Sequence, residues 1–155
     1  MSGPVQVVAT NNGLISASFT AQAQTVAPAF FDFNGGPYIA ATHVGGDLLG
    51  PPSLYPGSTT PAKPGETIVL YANGFGQTSV PVVSGASVQG GILPVMPVVK
   101  IGGAGAVVQY AGLVAPGEFQ FNVVVPPGTP DGDQAVTATY NGETTQAGAF
   151  VSIQH

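Results

Sequence analysis

Polar and apolar residues alternate along much of the chain, in runs whose length suits β-strands. The clearest run is Glu118 to Val125, in which Phe119, Phe121 and Val123 share one face. No window shows a sustained 3.6-residue apolar period, and the helix-favouring residues Glu, Lys, Arg and Met are scarce. The pattern therefore predicts an all-β fold.

Turns rich in glycine and proline separate these apolar runs. The predicted strands are residues 5–10, 14–24, 38–44, 66–73, 80–83, 87–88, 95–101, 107–110, 118–125, 135–140 and 144–154. Short strands with turn signals about every ten residues are typical of antiparallel sandwiches with Greek-key connections. We therefore expect an immunoglobulin-like β-sandwich, with an up-and-down barrel as the alternative.

Two Asn-Gly dipeptides predict tight hairpins near the two ends of the sequence. Asn12-Gly13 and Asn141-Gly142 each lie between strand-like runs, and both residue types tolerate the positive φ of a type I′ turn. The run from Val7 to Gly13 also resembles the run from Val136 to Gly142, and each continues to a phenylalanine and a glutamine. The sequence thus contains two similar hairpins.

This similarity suggests how the chain is organised. We predict that residues 1–26 form an N-terminal β-hairpin that ends a preceding, similar domain, and that residues 27–155 form one sandwich domain. A hairpin without its parent domain exposes apolar faces and unpaired backbone, so we expect it to dock on the sandwich edge or to self-associate with a second copy.

Charge is sparse and excludes several partners. Charged residues make up 6% of the chain, the net charge is −5, and the only cations are Lys63 and Lys100. Duplex binders neutralise about 6–10 phosphates, and membrane surfaces attract polybasic segments. No apolar run approaches the roughly 20 residues of a membrane span. We therefore expect no nucleic acid and no membrane insertion, and the absence of cysteine removes disulfide and thiolate chemistry.

Candidate catalytic groups are few. The chain has no G-x-S-x-G elbow and two histidines, of which His43 is interpreted as a loop residue beside a Gly-Gly-Asp turn. Asp131 and Asp133 occupy turn positions that favour aspartate, and they are weak calcium candidates because calcium takes 6–8 oxygen ligands. We expect no enzyme activity, no catalytic residue and no cofactor.

A carbohydrate site is the main alternative to a purely structural role. Sandwich domains bind sugars by stacking exposed aromatic rings on pyranose faces, with amides holding the hydroxyls. The candidates are Tyr38 and Tyr55, with Phe31 and Phe33, in the loop-rich stretch. The same aromatics suit a cap over the open end of a sandwich, which we favour. Three further tyrosines lie in predicted strands and are interpreted as packing or rim residues: Tyr71, Tyr110 and Tyr140.

Two segments carry a resemblance to a known family. Residues 61–76, Pro-Ala-Lys-Pro-Gly-Glu-Thr-Ile-Val-Leu-Tyr-Ala-Asn-Gly-Phe-Gly, and residues 98–133 resemble the Solibacter-type carboxy-terminal domain family of large exported acidobacterial proteins. The resemblance extends over about residues 27–155. It implies an immunoglobulin-like fold, a secreted or cell-surface location and no catalytic assignment. We therefore expect a non-catalytic structural, spacer or adhesive module, with polysaccharide or other surface proteins as partners.

Overall fold

The computed structural model describes residues 2–155, and it is built of β-strands. Strands account for 48% and helices for 0%, which confirms the all-β prediction. Within these residues the strands are β1 Gly3–Val7, β2 Thr10–Asn11, β3 Leu14–Ile15, β4 Phe19–Ala23, β5 Ala29–Phe30, β6 Ala41–His43, β7 Leu48–Leu49, β8 Thr59–Thr60, β9 Thr67–Asn73, β10 Gly91–Ile92, β11 Val98–Ile101, β12 Ala104–Ala115, β13 Glu118–Val124, β14 Gly132–Tyr140, β15 Glu143–Thr144 and β16 Phe150–Ile153.

Most strands belong to one twelve-stranded sheet. Its main path runs β15-β14-β11-β12-β13-β9-β6-β7-β8, and β5, β10 and β16 pair with β9, β12 and β14. The four strands β14-β11-β12-β13 have a Greek-key order, because three consecutive hairpin-connected strands are followed by one that returns beside the first. Pairing between two strands is antiparallel except between β7 and β8, which are parallel, and β16 also forms single parallel bridges with Tyr38 and Ala62.

Two strands change partners along their length, and this folds the sheet around a core. β12 pairs with β11 through Ala106 and with β13 from Val107 onward, with a bulge after Val108. β14 pairs with β16 through Ala135 and with β11 from Val136 onward. Strands that switch sheets at bulges form the corners of sandwiches. The architecture is that of an all-β fold consistent with a sandwich, and it is not a barrel.

Phenylalanine rings fill the centre of the core. Phe75 is fully buried, and its ring centroid lies 4.7 Å from that of Phe121 and 5.7 Å from that of Phe119. Tyr140 closes the cluster at 5.8 Å from Phe75. The alternation of β13 is as predicted, since Phe119, Phe121 and Val123 all lie in the core.

Several predicted segments differ in the structure. Residues 80–83 and 87–88 form no strand, and the neighbouring chain pairs with β12 only at β10. The connection between the predicted strands 95–101 and 107–110 is shorter than expected, because Ala104 and Gly105 already pair with Ile101 and Lys100. A two-residue connection follows the right-handed twist of a hairpin, which favours the tighter turn.

The N-terminal hairpin is separate from the large sheet. β1 pairs with β4, β2 pairs with β3, and none of the four joins the twelve-stranded sheet. Large apolar side chains are exposed on it, including Leu14 at 78% and Phe19 at 71%. Residue 1 of the predicted segment 1–26 lies outside the described residues. Self-association of this hairpin stays a prediction.

The turn of this hairpin has the same hydrogen bonds as the turn that joins β14 to β15. Ser16 N donates to Ala9 O over 2.9 Å, and Ala9 N donates to Ser16 Oγ over 3.0 Å. At the other turn, Thr145 N donates to Ala138 O and Ala138 N donates to Thr145 Oγ1, both over 3.0 Å. Each turn therefore has a backbone bond and a hydroxyl bond between equivalent residues.

Strand pairing extends the equivalence to whole hairpins. Gly3 pairs with Ala23, and Gly132 pairs with Ile153. Residues 3–16 thus correspond to residues 132–145, and residues 19–24 correspond to 149–154 because the second hairpin has one additional residue in its return. Phe19 consequently matches Ala149. The sequence comparison aligned Phe19 with Phe150, which is one position further along the second hairpin.

Candidate functional site

The loop aromatics that the sequence singled out have different partners. The rings of Phe33 and Tyr55 pack edge to face with centroids 5.6 Å apart. The Tyr38 hydroxyl donates to Asp133 Oδ2 over 2.8 Å. Phe31 contacts a neighbouring strand, since its amide donates to the Tyr71 carbonyl over 3.0 Å. The structure thus pairs two of the four candidates directly.

The bond between Tyr38 and Asp133 changes the titration of the phenol. Acceptance by the carboxylate raises the pKa of Tyr38 above 10.0, with smaller contributions from burial and from the negative charge of Asp133. The phenol therefore stays protonated and keeps donating to Asp133 at neutral pH.

Asp131, the other calcium candidate, binds the C-terminal residue. Its Oδ1 accepts the His155 amide over 3.0 Å and lies 2.5 Å from the His155 ring Nδ1. The hydrogen bond from the His155 ring has the largest effect and the bond from the His155 amide the next largest, and both lower the pKa of Asp131 below 3.8. Asp131 and Asp133 thus have separate partners, and residues 2–155 contain no group of three or more His, Cys, Asp or Glu arranged to hold a metal ion.

His43 lies at the end of β6 and joins three segments. Its Nδ1 lies 2.5 Å from Glu66 Oε1, and its Nε2 lies 3.0 Å from Thr60 Oγ1. Glu66 Oε2 also accepts the Lys63 amide over 2.8 Å. Sequence reasoning missed this cluster, because Thr60 and Glu66 are 17 and 23 residues away from His43.

The cluster has the order of a catalytic triad, with a hydroxyl, an imidazole and a carboxylate in line. A depression of about 470 Å³ adjoins it, lined by Gly46, Asp47, Leu48, Gly57, Ser58 and Thr60. The same bonds also hold the turn before β9 against β6 and β8. The arrangement is therefore compatible with a structural clasp as well as with proton transfer.

A second group of polar and aromatic side chains lies on the outer face of the sheet. The inward residues of β9 and β13 belong to the core, so the residues between them face outward. Gln120 lies directly opposite Tyr71 on β9, and Asn122 lies opposite Tyr110 on β12. All four side chains are partly exposed. Sequence analysis had interpreted the two tyrosines as packing or rim residues, and the structure places them on one face.

The ring of Tyr110 lies along its own strand over Gly112. A Cβ at Gly112 would be 2.6 Å from the Tyr110 hydroxyl oxygen and 3.0 Å from Cζ. Gly112 pairs with Gln120, which pairs with Tyr71. The absence of a side chain at Gly112 therefore brings the Tyr110 ring level with Gln120 and Tyr71. The Gln120 amide in turn donates to Asn122 Oδ1 over 2.8 Å.

Comparison with known proteins adds no assignment. No protein-family model matches the chain, and no match to a curated protein was found. The resemblance of residues 61–76 and 98–133 to the Solibacter-type family stays a prediction. Within residues 2–155, no helix is both long and apolar enough to cross a membrane.

Proposed function

We propose that this chain is a non-catalytic, immunoglobulin-like module that serves as a structural and spacer unit in a serial array of similar sandwiches in an exported protein. The observation that carries the proposal is the repeated hairpin. Residues 3–24 have the pairing, the turn and the hydroxyl bond of residues 132–154, which close the sandwich.

The second hairpin, residues 132–154, has one face covered by the core of the sandwich. Val136, Ala138, Val151 and Ile153 are at most 1% exposed, because they pack into the core of the sandwich. The equivalent face of the first hairpin is less buried, with Val7 49% exposed and Ala21 and Ala23 only partly buried. A hairpin of this design is stable when a sandwich core covers it, which supports a preceding unit of the same kind.

Exchange of the two hairpins between copies is less favourable. The first hairpin has Ala21 and Ala23 where the second has Val151 and Ile153. Placing the first hairpin in this core would leave cavities, and an Ile-to-Ala change alone costs about 2–5 kcal/mol. The first hairpin therefore fits a different core better than this one.

A spacer role agrees with how the ionisable groups are used. His43 and Glu66 are bonded to each other, as are Asp131 and His155. Export and a surface location are supported by the family resemblance of residues 61–76 and 98–133. The module would then be held by β-sheet pairing and core packing alone.

A tandem chain tests the array directly. The first copy ends at Gln154, and a second copy consisting of residues 25–155 follows it directly. Gln154 of the first copy then takes the place of Gln24 before the second copy. We expect two folded units, seen as two unfolding steps of equal length when single molecules are stretched. A control in which the join follows Gln146 deletes β16 from the first copy, and we expect it to show one step. A direct join whose first copy fails to fold would contradict the proposal.

A further inference from the structure

We propose that the outer face of the sheet formed by β9, β12 and β13 binds a neutral, flat polysaccharide of β-1,4-linked pyranoses. Tyr71 and Tyr110 would be the stacking platforms, and Gln120 and Asn122 would hold the hydroxyl groups. This site is distinct from the loop aromatics considered above, and it stands independently of the array proposed in the preceding section.

The geometry places two rings on one row with an amide between them. Tyr71 and Tyr110 lie on strands that are separated by β13, and neighbouring strands are about 4.8 Å apart, so their columns are about 10 Å apart. Because the Tyr110 ring lies over Gly112, it is level with Gln120, which pairs with Tyr71. This row has the alternation of apolar platform and hydrogen-bonding group that a sugar chain presents.

The Tyr110 ring lies close against the backbone of its own strand. Its hydroxyl lies over the Gly112 backbone, where a side chain would collide with it. The amides are also oriented, since Gln120 donates to Asn122. That bond leaves the Gln120 carbonyl oxygen and the Asn122 NH₂ group to accept from and donate to sugar hydroxyls. A preorganised surface loses less conformational entropy on binding.

Charge selects a neutral ligand. The outward residues of β9 (Thr67, Val69 and Tyr71) are uncharged, and the charged outward residue of β13 is the anion Glu118. The chain has two cations, and neither belongs to β9, β12 or β13, so a uronate or sulfate group would find no counter-charge there. A chain with equatorial hydroxyls exposes apolar C–H faces to the tyrosine rings, whereas a helical α-linked chain does not lie flat on a sheet.

The test measures retention of the full chain on microcrystalline cellulose, on β-1,4-xylan and on amylose. We expect binding to the first two and none to amylose. Tyr71→Ala and Tyr110→Ala should each weaken binding about tenfold, since an aromatic stacking contact contributes about 0.5–1.5 kcal/mol beyond its buried area. Tyr110→Phe keeps the ring and should bind nearly as well as the unchanged chain.

Matched variants separate this face from the loop aromatics. Tyr55→Ala and Tyr38→Ala should leave retention unchanged. Gln120→Leu keeps both rings and the bulk of the side chain, and we expect it to weaken binding while the thermal midpoint stays within a few degrees. Absence of retention on cellulose and xylan would overturn the proposal, as would loss with Tyr55→Ala when Tyr71→Ala still binds.

Discussion

Asn12 and Asn141, 129 positions apart, have the same left-handed backbone conformation, with φ of 48° and 50°. Each is followed by a glycine with positive φ, and after each turn a side-chain hydroxyl accepts a hydrogen bond from a backbone amide that precedes the turn. The environments differ, because Ala9 and Ser16 are exposed whereas Ala138 and Thr145 are buried. The two turns therefore allow the same hydroxyl-to-amide hydrogen bond to be measured once at an exposed site and once at a buried site.

Removing the hydroxyl from each turn should have unequal effects. Thr145→Val deprives the buried Ala138 amide of its acceptor, and an unsatisfied buried donor costs about 1–3 kcal/mol. Ser16→Ala removes the equivalent bond on the exposed hairpin, where water replaces it, so we expect about 0.5 kcal/mol or less. Urea unfolding of both variants measures the difference. Equal losses would show that the two hairpins are buried alike.

The centre of the core should depend on Phe75. Its ring contacts Phe121, Phe119 and Tyr140, and Phe75→Ala leaves a cavity that costs about 3–5 kcal/mol in unfolding free energy. Phe19→Ala is the matched control, since its side chain is 71% exposed and should change stability by about 0.5 kcal/mol or less. A large loss at Phe19 would mean that the N-terminal hairpin is covered in solution.

Gly74 should tolerate no side chain. Its φ is +75°, and a Cβ there would lie 1.9 Å from the Ala27 carbonyl oxygen. Gly74→Ala therefore adds a collision with backbone to the left-handed strain of about 1–2 kcal/mol. Gly57→Ala has a similar φ of +80° with nothing within 4 Å, so it isolates the strain alone. Thermal midpoints of the two variants should differ, and equal midpoints would contradict the close approach at Ala27.

The carboxyl of Asp131 should titrate below 3.8, because its ionised form accepts two hydrogen bonds from His155. A folded-state pKa below the unfolded value contributes stability above the unfolded pKa, and this contribution is lost as pH falls through the folded pKa. Carboxyl NMR titration checks the value. His155→Ala removes the ring bond and should raise the pKa of Asp131, whereas His43→Ala should leave it unchanged.

His43 should stabilise the fold by linking Glu66 and Thr60, and it should not act as a catalytic base. His43→Ala removes the bonds to Glu66 and Thr60, and for a partly exposed pair we expect a loss of about 0.5–1 kcal/mol in unfolding free energy. Hydrolysis of p-nitrophenyl acetate should be the same for the unchanged chain and for this variant. A higher rate that requires both His43 and Thr60 would contradict the non-catalytic role.

Hairpin turns and strand periodicity could be predicted from the sequence. Asn-Gly pairs identify turns because few other residues tolerate positive φ, and the alternation of Phe119, Phe121 and Val123 identifies an inward face. These features depend on residues close together in the chain. The all-β class follows from them, since nearly every apolar run has the length and turns of a strand.

Long-range contacts decided the rest. β12 and β14 exchange partners midway, and backbone hydrogen bonds are nearly the same for any partner strand, so local sequence carries little information about the exchange. The bond of His43 to Glu66 and the alignment of Tyr71 with Tyr110 depend in the same way on which strands become neighbours. Sequence alone determined the two Asn-Gly turns and the inward face of β13, and tertiary packing determined which side chains meet, because those meetings follow strand order.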